Sequence, residues 1–208
     1  MTRNRLLVVV SAPSGAGKTS LCRGAVASVS GLVHSISYTT RVARPEEVDG
    51  RDYFFISEGE FSKKIEAGEF VEWARVHGCL YGTSRLQLEA HFQAGRDVIL
   101  DIDVQGAAQL RDKYPSGIFV FILPPQVEKL EQRLRMRKTD SEEEIKRRLQ
   151  KATAEIKEYT QYQYLIVNDD LETAVAALRS VIVAERCKTF RADAGFLKNL
   201  MQEGWRRK

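Results

Sequence analysis

The chain of 208 residues has little of what stabilises secreted proteins or places a chain in a membrane. Its three cysteines, Cys22, Cys79 and Cys187, are odd in number, widely spaced and without a C-x-x-C pair. That excludes a disulfide framework and a thiolate metal site, and predicts reduced thiols in a cytoplasmic protein. No apolar run approaches the roughly 18 residues of a membrane helix. Arg3 and Arg5 precede the apolar run Leu6 to Val10, and Val10-Ser11-Ala12 looks like a small-residue cleavage site. Five apolar residues nevertheless fall short of the roughly 7–15 of a signal peptide. Nor is one sign of charge in large excess. The 32 basic and 28 acidic residues leave +4, too mild a balance to argue for nucleic acid, although a site for several phosphates would use it. Repeats and low-complexity linkers are missing. The 43% of apolar residues suffices for a core, and the length suits one compact α/β unit with a small insertion.

What is present begins at Val10 with "VSAPSGAGKTS", behind a strand-like run. Gly17-Lys18-Thr19 ends a Walker A pattern, G-x-x-x-x-G-K-[ST], in which Ala12 stands at the first glycine position. Ser11, Ala12, Pro13, Ser14, Gly15, Ala16, Gly17 and Ser20 complete the segment. Glycines let backbone N–H groups turn inward as an anion cradle. Lys18 would reach the outer phosphates of ATP, and the Thr19 hydroxyl would hold Mg²⁺. A helix starting near Lys18 adds the positive end of its dipole. Alanine adopts positive φ only at a cost, so the loop has to be regular at Ala12. The bland alternative is a glycine-rich turn. Strand, loop, Lys-Thr pair and helix arriving together favour the phosphate loop.

Strands then alternate with helices: helix 18–28, a strand ending in "VILDID", helix 104–114, strand 117–123 stopped by Pro124-Pro125, helix 126–137. A capping box at Ser141 opens a long helix to about Tyr159, with Ile145, Leu149, Ala152 and Ile156 as its buried stripe. A strand at 164–167 and a final helix from Leu171 follow. Such alternation predicts a mostly parallel sheet with helices on both faces. Residues 34–84 break it with β-formers, turn signals and a helix capped at Ser57, and read as an inserted β-rich lobe. The expected division is a core of 1–33, 86–125 and 160–208, a lobe of 34–85 and a lid of 126–159.

Asp101 closes an apolar strand, as the aspartate partnering a phosphate loop does. Asp103 faces the same side while the chain stays extended; its alternative role is a helix N-cap. Arg133 and Arg137 share one helical face. Arg148 lies beside the buried stripe, and Arg147 points away from it. These arginines suit a transferring phosphoryl group, or a solvated, charge-laced hairpin. Arg41, Arg44, Tyr53 and Tyr81 form a second basic and aromatic cluster able to clamp a phosphate. Glu72, in "FVEWARV", reads either as a solvent-facing strand residue or as a base reader.

"SAPSGAGKTS", "SISYTTRVARPEEVDGRDYFF", "EFVEWARVHGCLYGTS", "VILDIDVQGA", "FILPP" and "YLIVNDD", in that order over essentially the whole chain, resemble the bacterial guanylate kinases. The resemblance implies a P-loop parallel-sheet core flanked by helices, an inserted GMP-binding lobe and a helical lid. It implies transfer of a phosphoryl group from ATP to GMP with Mg²⁺, dGMP being tolerated, with neither nucleic acid nor membrane as partner; a homo-oligomer stays open. By position, Ser37, Glu72 and Thr83 correspond to the guanine readers. Arg41, Arg44, Tyr53 and Tyr81 correspond to the GMP-phosphate clamp, and Asp101 and Asp103 to the acids near metal and base, Thr19 joining Asp101 at the metal. Lys18, Arg133, Arg137 and Arg148 correspond to the catalytic cations, and Asn168 to a residue near adenine. Departures are "RMRKTD" in the lid turn and Leu80, where a polar or aromatic residue is expected. The rival from another class is a guanylate-kinase-like binding module without turnover; such modules lack a complete phosphate loop.

Overall fold

Strand β1 (Leu7–Ser11) is buried along its whole length, as expected of a valine run in a sheet covered on both faces. Its side chains alternate between two cores. Val8 and Val10 pack with Leu21 and Ala25 of helix α1 (Lys18–Ser28) and with Leu178 and Ile182 of helix α7 (Leu171–Arg186). Leu7 and Val9 pack with Leu88 of helix α3 (Arg85–Gln93) and with Ala107 and Leu110 of helix α4 (Val104–Lys113). A fully buried valine or leucine contributes about 1.5–3 kcal/mol, so a polar substitution on either face of β1 would unfold the core from its centre. The structure, a computed structural model, describes residues 5–136 and 142–204.

The core sheet has five parallel strands in the order β2-β7-β1-β8-β9. Here β2 is Leu32–His34, β7 Asp97–Asp101, β8 Ile118–Leu123 and β9 Tyr164–Val167. Register pairs Val10 with Asp101, so the loop after β1 and the acid ending β7 emerge side by side at the carboxyl ends of the strands. Open parallel sheets bind ligands at those ends.

A second, four-stranded sheet follows the order β4-β3-β6-β5. Its strands are β3 (Tyr38–Thr39), β4 (Phe54–Phe55), β5 (Phe70–Val76) and β6 (Cys79–Ser84). Helix α2 (Glu58–Glu66) covers it, opened by the capping box foreseen at Ser57 and Glu60. Phe61, Phe70 and Leu80 form the small core between them. Leu80 is thus a packing residue, which accounts for its departure from a polar type. Helix α6 (Glu142–Ile156) borders the cleft and helix α5 (Val127–Met136) packs against α6, with Leu130, Leu134, Ile145 and Ala152 buried. Helix α8 (Ala194–Gly204) ends the described chain.

The structure differs from the sequence expectation in four places. β2 is too short to show a pattern, and α3 buries Leu88 alone among its residues, so neither was foreseen. The long helix passes into 3₁₀ geometry at Lys157. The last helix ends at Arg186, and a 3₁₀ turn at Thr189–Arg191 separates it from α8. The expected cap at Ser141 lies outside the described residues. All three cysteines are free thiols. Among the described residues, no helix is long and apolar enough to cross a membrane.

Candidate active site

One cleft of about 750 Å³ runs from the loop after β1 to the second sheet, bordered by α6. At its core end, Gly15 (φ 94°) and Gly17 (φ 87°) take the left-handed conformation that turns the backbone inward. A side chain at Gly15 would also press on Leu130 of α5, 3.1 Å from the built Cβ position. His77, and not Ala12, is the non-glycine residue with positive φ among the described residues, so the loop is regular at Ala12 as the sequence required. Gly17 caps α1 without a side-chain hydrogen bond, and the first turn carries no acidic residue. The opening N–H groups and the dipole of α1 therefore remain available to an anion. Ala12, Pro13, Ser14, Gly15, Gly17, Lys18, Thr19 and Ser20 line the cleft, whereas Ser11 and Ala16 are buried beneath it. Asn168 does not line the cleft. It is buried behind the loop, and its Nδ2 donates to the Ala16 carbonyl at 2.7 Å, bracing the loop from below.

The Thr19 hydroxyl donates to Asp101 Oδ2 at 2.8 Å, and His34 Nε2 sits 3.1 Å from Oδ1. Burial pushes the Asp101 carboxyl up, but His34, Lys18 and Thr19 outweigh it and hold the group well below the usual carboxylate range. Asp103 fulfils its alternative role as N-cap of α4, accepting from Gly106 N–H at 2.9 Å, and still lines the cleft.

At the other end, Ser37, Arg41, Arg44, Tyr53, Glu72 and Tyr81 line the cleft together. Arg41 lies over the Tyr53 ring, 5.4 Å from its centre, and Tyr53 meets Tyr81 edge-on at 5.9 Å. Sequence reasoning missed Glu47, which accepts from Arg41 at 2.7 and 2.9 Å and from Arg44 N–H at 2.9 Å. The signal was an acid three residues after Arg44, within one turn. His34 was missed as well, since nothing local links it to Asp101.

Glu72 is 3% exposed, which removes the solvent-facing reading. Its Oε1 accepts from the Thr83 hydroxyl at 2.5 Å, and Thr83 is fully buried. Burial pushes the Glu72 carboxyl up to about 7, Thr83 and Lys18 opposing the shift and Asp103 adding to it. A desolvated carboxylate aimed into a cleft is built to meet paired donors.

Arg148, with its side chain 14% exposed, donates Nε to Glu144 at 3.2 Å, while Arg147 is 63% exposed. The side chain of Arg133 and all of Arg137 lie outside the described residues. Both arginines border the cleft, so Arg147 does not point away from it as the sequence suggested, but only Arg148 is largely buried there. Arg148→Ala is therefore expected to reduce turnover far more than Arg147→Ala, because a solvated side chain is held less firmly against a transferring group. Steady-state rates of the two variants test this, and equal losses would refute it.

Comparison with known proteins agrees with this arrangement. A family model described as guanylate kinase matches residues 4–185. The guanylate kinase of Geobacter sulfurreducens is 53% identical over 191 residues, covering 92% of this chain and 94% of that protein. That of Thermotoga maritima is 44% identical over 202 residues, covering 97% and 98%. The crystal structure of guanylate kinase from Anaplasma phagocytophilum superposes with a TM-score of 0.76 at 33% identity, over 91% of this chain and 90% of that one.

Proposed function

The chain belongs to the guanylate kinase family, and from that premise we propose that its cleft moves the γ-phosphoryl group of ATP onto the phosphate of GMP. The observation carrying this reading is a single cleft with an uncapped phosphate loop at one end and, at the other, the buried Glu72 carboxylate held from behind by Thr83. Residues 34–85 act as the GMP lobe and 126–159 as the lid, on a core of 1–33, 86–125 and 160–208. The substrates are free cytoplasmic nucleotides, dGMP included.

A metal ion fits beside Thr19 and Asp101, whose hard oxygen donors suit Mg²⁺. Among the described residues no group of three His, Cys, Asp or Glu would hold an ion alone, in keeping with a metal shared with phosphates and water. Mg²⁺, when bound, neutralises charge on the β- and γ-phosphates.

The chain's own residues align and stabilise. The phosphate of GMP has a second pKa of about 6 and is largely dianionic at neutral pH, so its oxygen attacks without a catalytic base. Arg41 and Arg44, with Tyr53 and Tyr81, hold that phosphate in line. Ser37 and Glu72 hold the guanine, and Thr83, which does not line the cleft, braces the Glu72 carboxylate from behind. Lys18 and Arg148, with Arg133 and Arg137, share the charge of the transferred group. Asn168 supports the loop, and Asp103 fixes the start of α4. Closure of lobe and lid excludes water, which would otherwise take the phosphoryl group. Measuring ADP release with GMP, dGMP, AMP, CMP and UMP tests the reading. GMP and dGMP are expected to support turnover; comparable rates with AMP would overturn it.

A further inference from the structure

Strand β5 is an edge of the second sheet, so on one side its main chain lacks a partner strand. Exposed strand edges are usually blunted or covered. Here the cover is a helix. Gln109 of α4 donates Nε2 to the Trp73 carbonyl at 2.7 Å and accepts Trp73 N–H through Oε1 at 3.2 Å. One turn further, Lys113 Nζ donates to the Val71 carbonyl at 2.7 Å. One turn back, Gln105 Nε2 reaches the Arg75 carbonyl at 3.5 Å, the longest of the set. The spacing matches because four residues of helix rise about 6 Å and two residues of strand about 6.6 Å. The alternate residues Val71, Trp73 and Arg75 turn their main chain to the helix, while Glu72 pairs across β6 with Thr83.

Two further contacts anchor this seam beside Glu72. The register of β5 slips between Phe70 and Glu72, and the extra residue, Val71, is buried in the core cluster with Ala107 and Leu110 of α4. Gly106 of α4 lies directly against Glu72: a Cβ there would stand 2.3 Å from Oε2. The carboxylate is thus held from β6 by Thr83, from α4 by the bare backbone at Gly106, and from its own strand by whatever holds Trp73.

We propose that α4 serves as the missing partner strand of β5, and that Gln109 is a positioning residue that sets the guanine specificity of Glu72 through the main chain of Trp73. The inference rests on the guanine-reading role given to Glu72 above. Guanine offers Glu72 two donors, N1–H and N2–H₂, whereas hypoxanthine lacks the 2-amino group and offers N1–H alone. A two-point contact is sensitive to a small shift of the strand and a one-point contact much less so. Gln109 therefore acts on the ratio of GMP to IMP more than on either rate.

The test is kcat/KM for GMP and for IMP, KM for ATP, and Tm, in wild type, Gln109→Leu, Gln109→Glu and Glu72→Gln. Gln109→Leu is expected to lower the GMP value about tenfold and the IMP value less than about threefold, with KM for ATP unchanged. Gln109→Glu keeps the acceptor for Trp73 N–H and loses the donor to its carbonyl, so it should narrow the GMP-to-IMP ratio by an intermediate factor; it decides the matter if the leucine variant fails to fold. A ratio unchanged in the Gln109 variants, or equal losses for both substrates accompanied by a lower Tm, would overturn the proposal. Glu72→Gln separates the two levels. If it leaves the ratio at the wild-type value, the guanine reading itself falls. If it collapses the ratio while the Gln109 variants preserve it, only the role of Gln109 falls.

Discussion

Replacing Lys18 with alanine is expected to lower turnover at least about a hundredfold, the scale of losing one preorganised electrostatic stabiliser. The side chain leaves, but the cradle does not: Gly15 and Gly17 keep their left-handed turns, and α1 keeps its uncapped first turn. ATP should therefore still bind measurably. The loss belongs mainly in kcat, because charge on the transferring group grows toward the transition state. Lys18 also favours the ionised forms of Asp101 and Glu72, so its removal should further discourage the Glu72 carboxylate. Rapid-quench rates together with ATP titration calorimetry check this. Near-normal turnover in Lys18→Ala would refute the phosphate-loop role.

The second large effect is substrate choice at Glu72. A carboxylate accepts both donors of guanine, whereas adenine presents an acceptor at N1 and no amino group at C2. AMP leaves the carboxylate desolvated and unpaired, and sites of this kind reject the wrong ligand by about 10⁴–10⁵. Glu72→Gln introduces a donor and is expected to lower GMP efficiency by about 1.5–3 kcal/mol per lost charged bond. Arg41 and Arg44 still hold the phosphate, so activity falls without vanishing. If wild type used AMP as well as GMP, or Glu72→Gln left the GMP value unchanged, the guanine assignment would fail.

The upward shift of the Glu72 carboxyl adds a pH dependence whose sign is determined. The ionised form accepts both guanine donors, so KM for GMP should fall as pH rises through about 7 in the wild type. Protonation of the GMP phosphate, near pH 6, also weakens binding at low pH. Glu72→Gln retains that phosphate effect and should lose the component near 7. Stability moves the other way. A carboxyl that titrates at about 7 when folded and at its ordinary value of 4.5 when unfolded favours the folded state below 4.5, and this contribution is lost as pH rises through 7. The difference amounts to about 3 kcal/mol. Glu72→Gln should accordingly raise the melting temperature at pH 8 and change it little at pH 4. The residue that selects guanine is then one that the empty protein would be more stable without, a trade common at binding sites.

Much of the ATP side was legible in the chain because its determinants are local. A run of valines, two glycines and Lys18-Thr19 specify strand, turn and helix within fifteen residues, and helix α1 begins and ends where the sequence placed it. The capping box at Ser57 and the buried stripe of α6 are likewise short-range patterns, set by side chains within one or two turns of each other. What needed the tertiary structure depends on contacts between residues far apart. Glu72 reads equally as a surface strand residue until Thr83, Gly106 and the core enclose it. Asn168 meets Ala16 across 152 positions, and His34 reaches Asp101 only because β2 pairs with β7. Asp103 was ambiguous between cap and site until the start of α4 was placed, and it then did both. The seam of α4 along β5 has no local signature, since two glutamines and a lysine on a helix face are ordinary surface residues until a strand edge is laid against them. Periodicity shows which side of an element is apolar; which elements meet, and hence which polar side chains face a common cleft, is decided by packing the whole chain at once.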